Sequence, residues 1–239
     1  MDLHVHTCLS PCGEENMTPR NIVGAAQETG LDVIGICDHN TCENVKAVRA
    51  AAKQRDIEVL GGIEVTSSEE VHFVVLFDKD EDLFRMQEIV YENLPGKNDP
   101  KIFGEQIIMS EEDEFKGENS RLLIGTTNLS SRQIAESAHL FHGLVIAAHV
   151  DREGFGIIGK LGFIPPDLPL DALEISPKIT YGKARETLPI SGYPVITSSD
   201  AHRPEDVGKS YTTFLIKDVN LAEMKKAFSG KEGRKVFLS

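Results

Sequence analysis

The 239-residue sequence predicts an α/β fold on a mainly parallel sheet, doubly wound or closed into a barrel, as one compact domain. Three observations predict it. Short β-branched apolar runs recur, segments of helical periodicity follow them, and side chains able to bind metal stand repeatedly where the runs finish.

The chain opens with His4 and His6 alternating with Leu3 and Val5, the pattern of a strand with two histidines on one face. Further runs lie at 32–37, 59–63, 144–148, 172–175 and 194–197. Runs this short and branched, apolar on both faces, read as parallel strands. Between the first two, Thr18 followed by Pro19 reads as an N-cap and first helical residue, Ile22, Val23 and Ala26 keep helical spacing, and Gly30 closes the segment. Other helices are expected over 43–54, 131–142 and 221–228. Residues 94–121 break the rhythm with Pro95-Gly96, Asp99-Pro100 and an acidic run from Glu111 to Glu114. They read as loops and a hairpin, an insertion placed to cap a site.

Apolar residues at 40% and charged residues at 26% provide for a large core and argue against disorder. The net charge of −13 argues against stable binding of long nucleic acid, which needs a basic surface stripe. Cys8, Cys12, Cys37 and Cys42 lack paired CxxC spacing and read as reduced, packed thiols. No apolar run reaches membrane-spanning length, and the first residues lack the cationic start and apolar stretch of a signal peptide, so a cytoplasmic, membrane-free protein is expected.

In a β/α barrel the C-terminal ends of the strands converge on one face, where active sites are built. Here those ends carry His4 and His6, Asp38 and His39, Glu64, His149, and Asp200 with His202, with His72 on or beside another strand. Imidazole and carboxylate are the donors that zinc, manganese and iron select, and there are more of them than one ion needs. His139 and His142, three apart on an expected helix, have no other donors around them and read as an ordinary helical face.

The ordered set DLHVHT, ICDHN, GGIEV, EEVHFVV, AAHVDR and SSDAH resembles the PHP family, the polymerase and histidinol phosphatase domain of metal-dependent phosphoesterases. The resemblance covers nearly the whole chain. It implies a distorted (β/α)7 TIM-like barrel and three divalent ions, zinc, manganese or iron. Carried over by motif, His4, His6, Glu64 and Asp200 would surround one ion, Glu64 would bridge to a second held by His72 and His149, and His39 and His202 would hold a third. The family supplies one more acid or histidine shortly after its HxH motif. In Ser10-Pro11-Cys12-Gly13-Glu14-Glu15 the expected donor is Glu14, with Glu15 the alternate. Asp38 is expected to serve the catalytic site by orienting a ligand.

Such a centre suits hydrolysis of a phosphate ester by a metal-activated water, on a small phosphorylated metabolite, a nucleotide or a short oligonucleotide. Arg152, Lys178 and Arg203 stand where a substrate phosphate could meet a cation, Arg152 foremost. Two other readings compete. An amidohydrolase-like enzyme also begins with HxH on a barrel strand, but calls for a bridging lysine at a strand end where this chain has Glu64. A metal- or phosphate-binding regulatory module without turnover would keep the same ligands.

Overall fold

The computed structural model describes residues 1–53 and 55–238. Seven strands form one sheet in the order β1 (Asp2–Val5), β2 (Val33–Ile36), β3 (Glu58–Thr66), β4 (His72–Phe77), β7 (Leu144–Ala147), β8 (Ala172–Ile175) and β9 (Val195–Thr197). Beyond β9 the chain returns to the first strand, where the His6 amide donates to the Ala201 carbonyl at 3.0 Å. The sheet is therefore a nearly closed barrel, as the strand-and-helix alternation predicts.

One strand departs from the expected pattern. β3 and β4 form a hairpin and β4 is antiparallel to both its neighbours, while the remaining pairs are parallel. A tight turn through Ser67 and Val71 makes this possible, because antiparallel neighbours need no crossover helix. The consequence is geometric. A strand running the other way begins where its neighbours end, so His72, its first residue, reaches the same face as the strand-end donors.

Period-two alternation sorts the side chains. Ile63, Val65, Phe73, Val75 and Phe77 join the large apolar cluster formed with the surrounding helices, while Leu60, Val74 and Leu76 join a smaller one. Glu64 and His72 share the parity of this second set. Between β1 and β2 the backbones pack so closely that a Cβ on Gly35 would lie 2.5 Å from the Leu3 carbonyl oxygen, so only glycine fits.

α1 (Pro19–Glu28) starts after Thr18, whose hydroxyl donates to Asp113 Oδ2 at 2.8 Å and does not cap its own helix. α2 (Val45–Ala52) begins two residues later than expected because Asn44 is drawn away, its amide donating to Thr7 Oγ1 and the Ile107 carbonyl. Gln54, the expected end of that helix, lies outside the described residues. α3 (Asp80–Asn93) was not expected; it buries Leu83, Met86 and Val90. α5 (Ser131–Leu140) is held by a capping box between Ser130 and Gln133 and stops before His142, which has a positive φ of 61°. α8 (Leu221–Phe228) packs against the end of β4 and the start of β7, through the Leu221 amide to Asp78 and Lys225 to the Gly143 carbonyl. It thus covers the barrel end opposite the histidines.

Residues 94–121 contain a short helix, α4 (Pro100–Phe103), and a hairpin of β5 (Ile107–Met109) with β6 (Phe115–Glu118). The hairpin leans on the loop after β1: the Ile107 amide donates to the Cys8 carbonyl at 3.0 Å. α6 (Ile157–Leu161), α7 (Tyr181–Thr187) and a final pair of strands, β10 (Thr212–Leu215) and β11 (Lys235–Leu238), complete the chain. Among the described residues no helix is long and apolar enough to cross a membrane.

Candidate metal centre

Glu64 is the hub of the site. It is fully buried near the end of β3, and five imidazoles surround its carboxylate. His72 Nδ1 and His39 Nδ1 lie 2.8 Å from its two oxygens, His149 Nε2 3.2 Å, and His4 Nε2 and His6 Nε2 3.4 Å. Asp200 Oδ1 completes the cluster, 3.1 Å from His6 Nε2 and 3.5 Å from His4 Nε2. Donor atoms of His4, His6 and Asp200, of His39, Glu64 and His72, and of His6, His39 and His202 form three groups compact enough to hold an ion.

The tautomers are set from behind. Nδ1 of His4 lies 3.1 Å from Glu174 Oε1, so its proton belongs there and the Nε2 lone pair faces the centre. Nδ1 of His6 donates to Ser10 Oγ at 2.9 Å. That hydroxyl in turn donates to Asp38 Oδ1 at 2.7 Å. The Asp38 carboxylate also accepts from the Thr7 amide and hydroxyl, each at 2.7 Å, so it is saturated by the loop that carries the first two histidines. Asp38 fastens that loop and does not face the open site. His202 Nδ1 lies 2.8 Å from the Asp200 carbonyl oxygen, to which it donates, leaving Nε2 free to act as a donor to metal.

The residues fit a multinuclear centre of divalent ions. His4 Nε2 and His6 Nε2 lie only 3.2 Å apart, two lone pairs converging on one point. His39 Nδ1 and Glu64 Oε2 face each other at 2.8 Å without hydrogen-bond geometry, and His149 Nδ1 is buried with no hydrogen-bond partner among the described residues. Buried polar atoms left unpaired are costly, and cations shared among them remove that cost. Electrostatics agree in sign. Burial pushes the Glu64 carboxyl up, but His72, His39 and His4 outweigh it and hold it well below the usual carboxylate range. Asp200 is likewise held down by His4 and His6 against its burial. Burial brings His72 down to about 4, whereas Glu174 and Glu64 outweigh burial to hold His4, and Glu64 to hold His39, well above the usual imidazole range, so cations bound there would displace protons from both.

Backbone strain gathers here too. His149 and Asp200 have positive φ angles of 29° and 52°. Side-chain-bearing residues avoid this region, and such strain persists mainly where surrounding structure fixes it.

The expected Glu14 donor is not brought to the centre. Its carboxylate is turned outward and pairs with the Arg203 guanidinium at 2.9 Å, which also occupies one of the three expected phosphate cations. Glu15 is exposed. The turn through Gly13 causes this: it directs residue 12 towards His202 and residues 14 and 15 away. Lys178 is exposed on the loop after β8. Arg152 is closer in: its Nη2 lies 2.6 Å from Asp200 Oδ2, and its Nε is buried without a partner among the described residues. His139 pairs with Asp171 at 2.9 Å, away from the centre. Glu174 was missed, although a lone carboxylate inside the apolar run Ala172–Ile175 was a readable signal.

The PHP domain profile matches residues 2–151, and the PHP-associated profile matches residues 180–229. The chain belongs to the PHP domain family. Among solved structures it is similar to the lesion-specific endonuclease PfuEndoQ from Pyrococcus furiosus, with a TM-score of 0.77 and 23% identity over 98% of this chain and 56% of that one. A metal-dependent phosphoesterase candidate from Bifidobacterium adolescentis aligns with a TM-score of 0.58 and 21% identity, over 85% of this chain and 88% of that one. A 5'-3' exoribonuclease of Haemophilus influenzae is 34% identical over 82 residues, which are 33% of this chain and 29% of that protein. The chain thus spans well under two thirds of the endonuclease and of the exoribonuclease.

Proposed function

We propose that the protein is a metal-dependent phosphoesterase that uses three divalent ions, drawn from zinc, manganese and iron, on small phosphorylated substrates or short oligonucleotides. The observation that carries this reading is the convergence of five imidazoles and Asp200 on the buried Glu64. His4, His6, Glu64 and Asp200 would hold one ion, Glu64, His72 and His149 a second, and His39 with His202 a third. Bound there, the ions would supply Lewis-acid activation of a water nucleophile and neutralise charge on the phosphoryl oxygens.

The chain's own residues do the rest. Glu174 and Ser10 hold the Nδ1 protons of His4 and His6, so both rings present Nε2 without rearrangement. Asp38 fixes the loop that carries them. Arg152, paired with Asp200, has a guanidinium in place to donate to a non-bridging oxygen of the substrate. The contacts of residues 94–121 with the loop after β1 support a role as one wall of the site.

The similarity to an endonuclease is one of fold. The net charge of −13 supports small substrates over a long polyanion. A panel of phosphomonoesters, nucleotides, short oligonucleotides and long duplex DNA, assayed with protein purified without chelators, tests the reading. Turnover of the small substrates is expected. Cleavage confined to long duplex would overturn the substrate class, and bound metal without turnover of any phosphoester would favour a regulatory binding module.

A further inference from the structure

The loop after β1 is built as a tight turn. The Gly13 amide donates to the Ser10 carbonyl at 2.8 Å, closing Ser10-Pro11-Cys12-Gly13, with proline at the second position where its fixed φ suits a turn. Gly13 cannot be larger, since a Cβ there would lie 2.6 Å from the Thr7 carbonyl oxygen. Both flanks of the turn are tied to the centre: the Ser10 hydroxyl holds His6 and Asp38, and the Glu14 amide donates to the His202 carbonyl at 2.9 Å.

The outcome is that Cys12 Sγ lies 3.1 Å from His202 Nε2, the nitrogen whose lone pair is free. His39 stands beside both, 94% buried, with its Nδ1 2.8 Å from Glu64 Oε2, a side-chain hydrogen bond to Cys12 and its ring 6.4 Å from that of His202. In a tetrahedral zinc site, bond lengths of about 2.3 Å to sulfur and 2.0–2.1 Å to nitrogen separate the two donors by about 3.5 Å, a few tenths more than the spacing here. The other three cysteines are buried, and Cys8 and Cys37 hydrogen-bond to backbone carbonyls.

We infer that Cys12 is the sulfur ligand of the third ion, completing a His39, His202 and Cys12 position. This rests on the metal-centre reading above. The thiol proton passes to solvent as the cation enters, and the thiolate makes this position select zinc or ferrous iron over manganese or magnesium.

The test loads chelator-treated protein with cobalt(II) and reads both the absorption spectrum and the number of ions bound. A near-ultraviolet sulfur-to-cobalt charge-transfer band is expected in the wild type and in Glu14→Gln, whose side chain points away. Cys12→Ser should lose the band and one equivalent of cobalt, and Cys12→Asp should regain the equivalent without the band. Cobalt bound with no band in the wild type, or an undiminished band in Cys12→Ser, would overturn the assignment. A wild type that binds no cobalt at all overturns the metal-centre reading itself, a result distinct from either.

Discussion

Glu174 Oε1 lies 3.1 Å from His4 Nδ1 and 3.2 Å from the His149 amide, so one buried carboxylate on β8 positions two residues of the metal centre. Groups behind metal ligands set tautomer and ring orientation, and removing them costs roughly 10- to 100-fold in metal affinity. Glu174→Ala should therefore weaken zinc binding by about that factor, and Glu174→Gln, which still accepts from Nδ1, by less. Competition against a chromophoric chelator measures both. Equal affinity in wild type and Glu174→Ala would remove Glu174 from the account.

Arg152 makes a different kind of contribution. A hydrogen bond to a charged group is worth about 1.5–3 kcal/mol, which corresponds to roughly 10- to 100-fold in kcat/KM. Arg152→Ala should lower kcat/KM on a phosphomonoester by this amount while leaving the number of bound ions unchanged, and Arg152→Lys should recover part of the loss. Unaltered kinetics in Arg152→Ala would show that the guanidinium does not meet the substrate.

Far from the centre, Arg234 ties the final strand to α8 through Glu223, with Nε 2.7 Å from Oε2. The hydrogen bond from Arg234 brings the Glu223 carboxyl down to about 2 from its usual 4.5. A pKa lowered by folding means that the pair's stabilisation is present above pH 4.5 and lost as pH falls towards 2. Thermal unfolding of chelator-stripped protein should show wild type more stable than Glu223→Gln above that window, with the difference shrinking through it. A difference that stays constant down to pH 2 would contradict the linkage.

Much of the site was legible because strand parity and barrel topology are simple rules. His4 and His6 are two apart on one strand, and Asp38, His39, Glu64, His149 and Asp200 each end or follow an apolar run. His72 was legible as a residue but not as a position, since the reversed direction of β4 depends on a turn whose partners are distant in sequence. Glu14 is expected inward because the family resemblance calls for an acid or histidine after the HxH motif, but the Ser10–Gly13 turn sets Cys12 against His202 and Glu14 against Arg203. Helix α3 went unread although Leu83, Met86 and Val90 fall at helical spacing, because its other face is densely charged.

The central claim is that the cluster around Glu64 binds metal and that this metal drives phosphoester hydrolysis. The most direct measurement is phosphate release by chelator-stripped protein on readdition of manganese, zinc or iron, comparing wild type with His4→Ala and Asp200→Ala. Metal should restore turnover in the wild type and leave both variants at background. Equal release by all three proteins, or release by the wild type that is indifferent to metal, would contradict it.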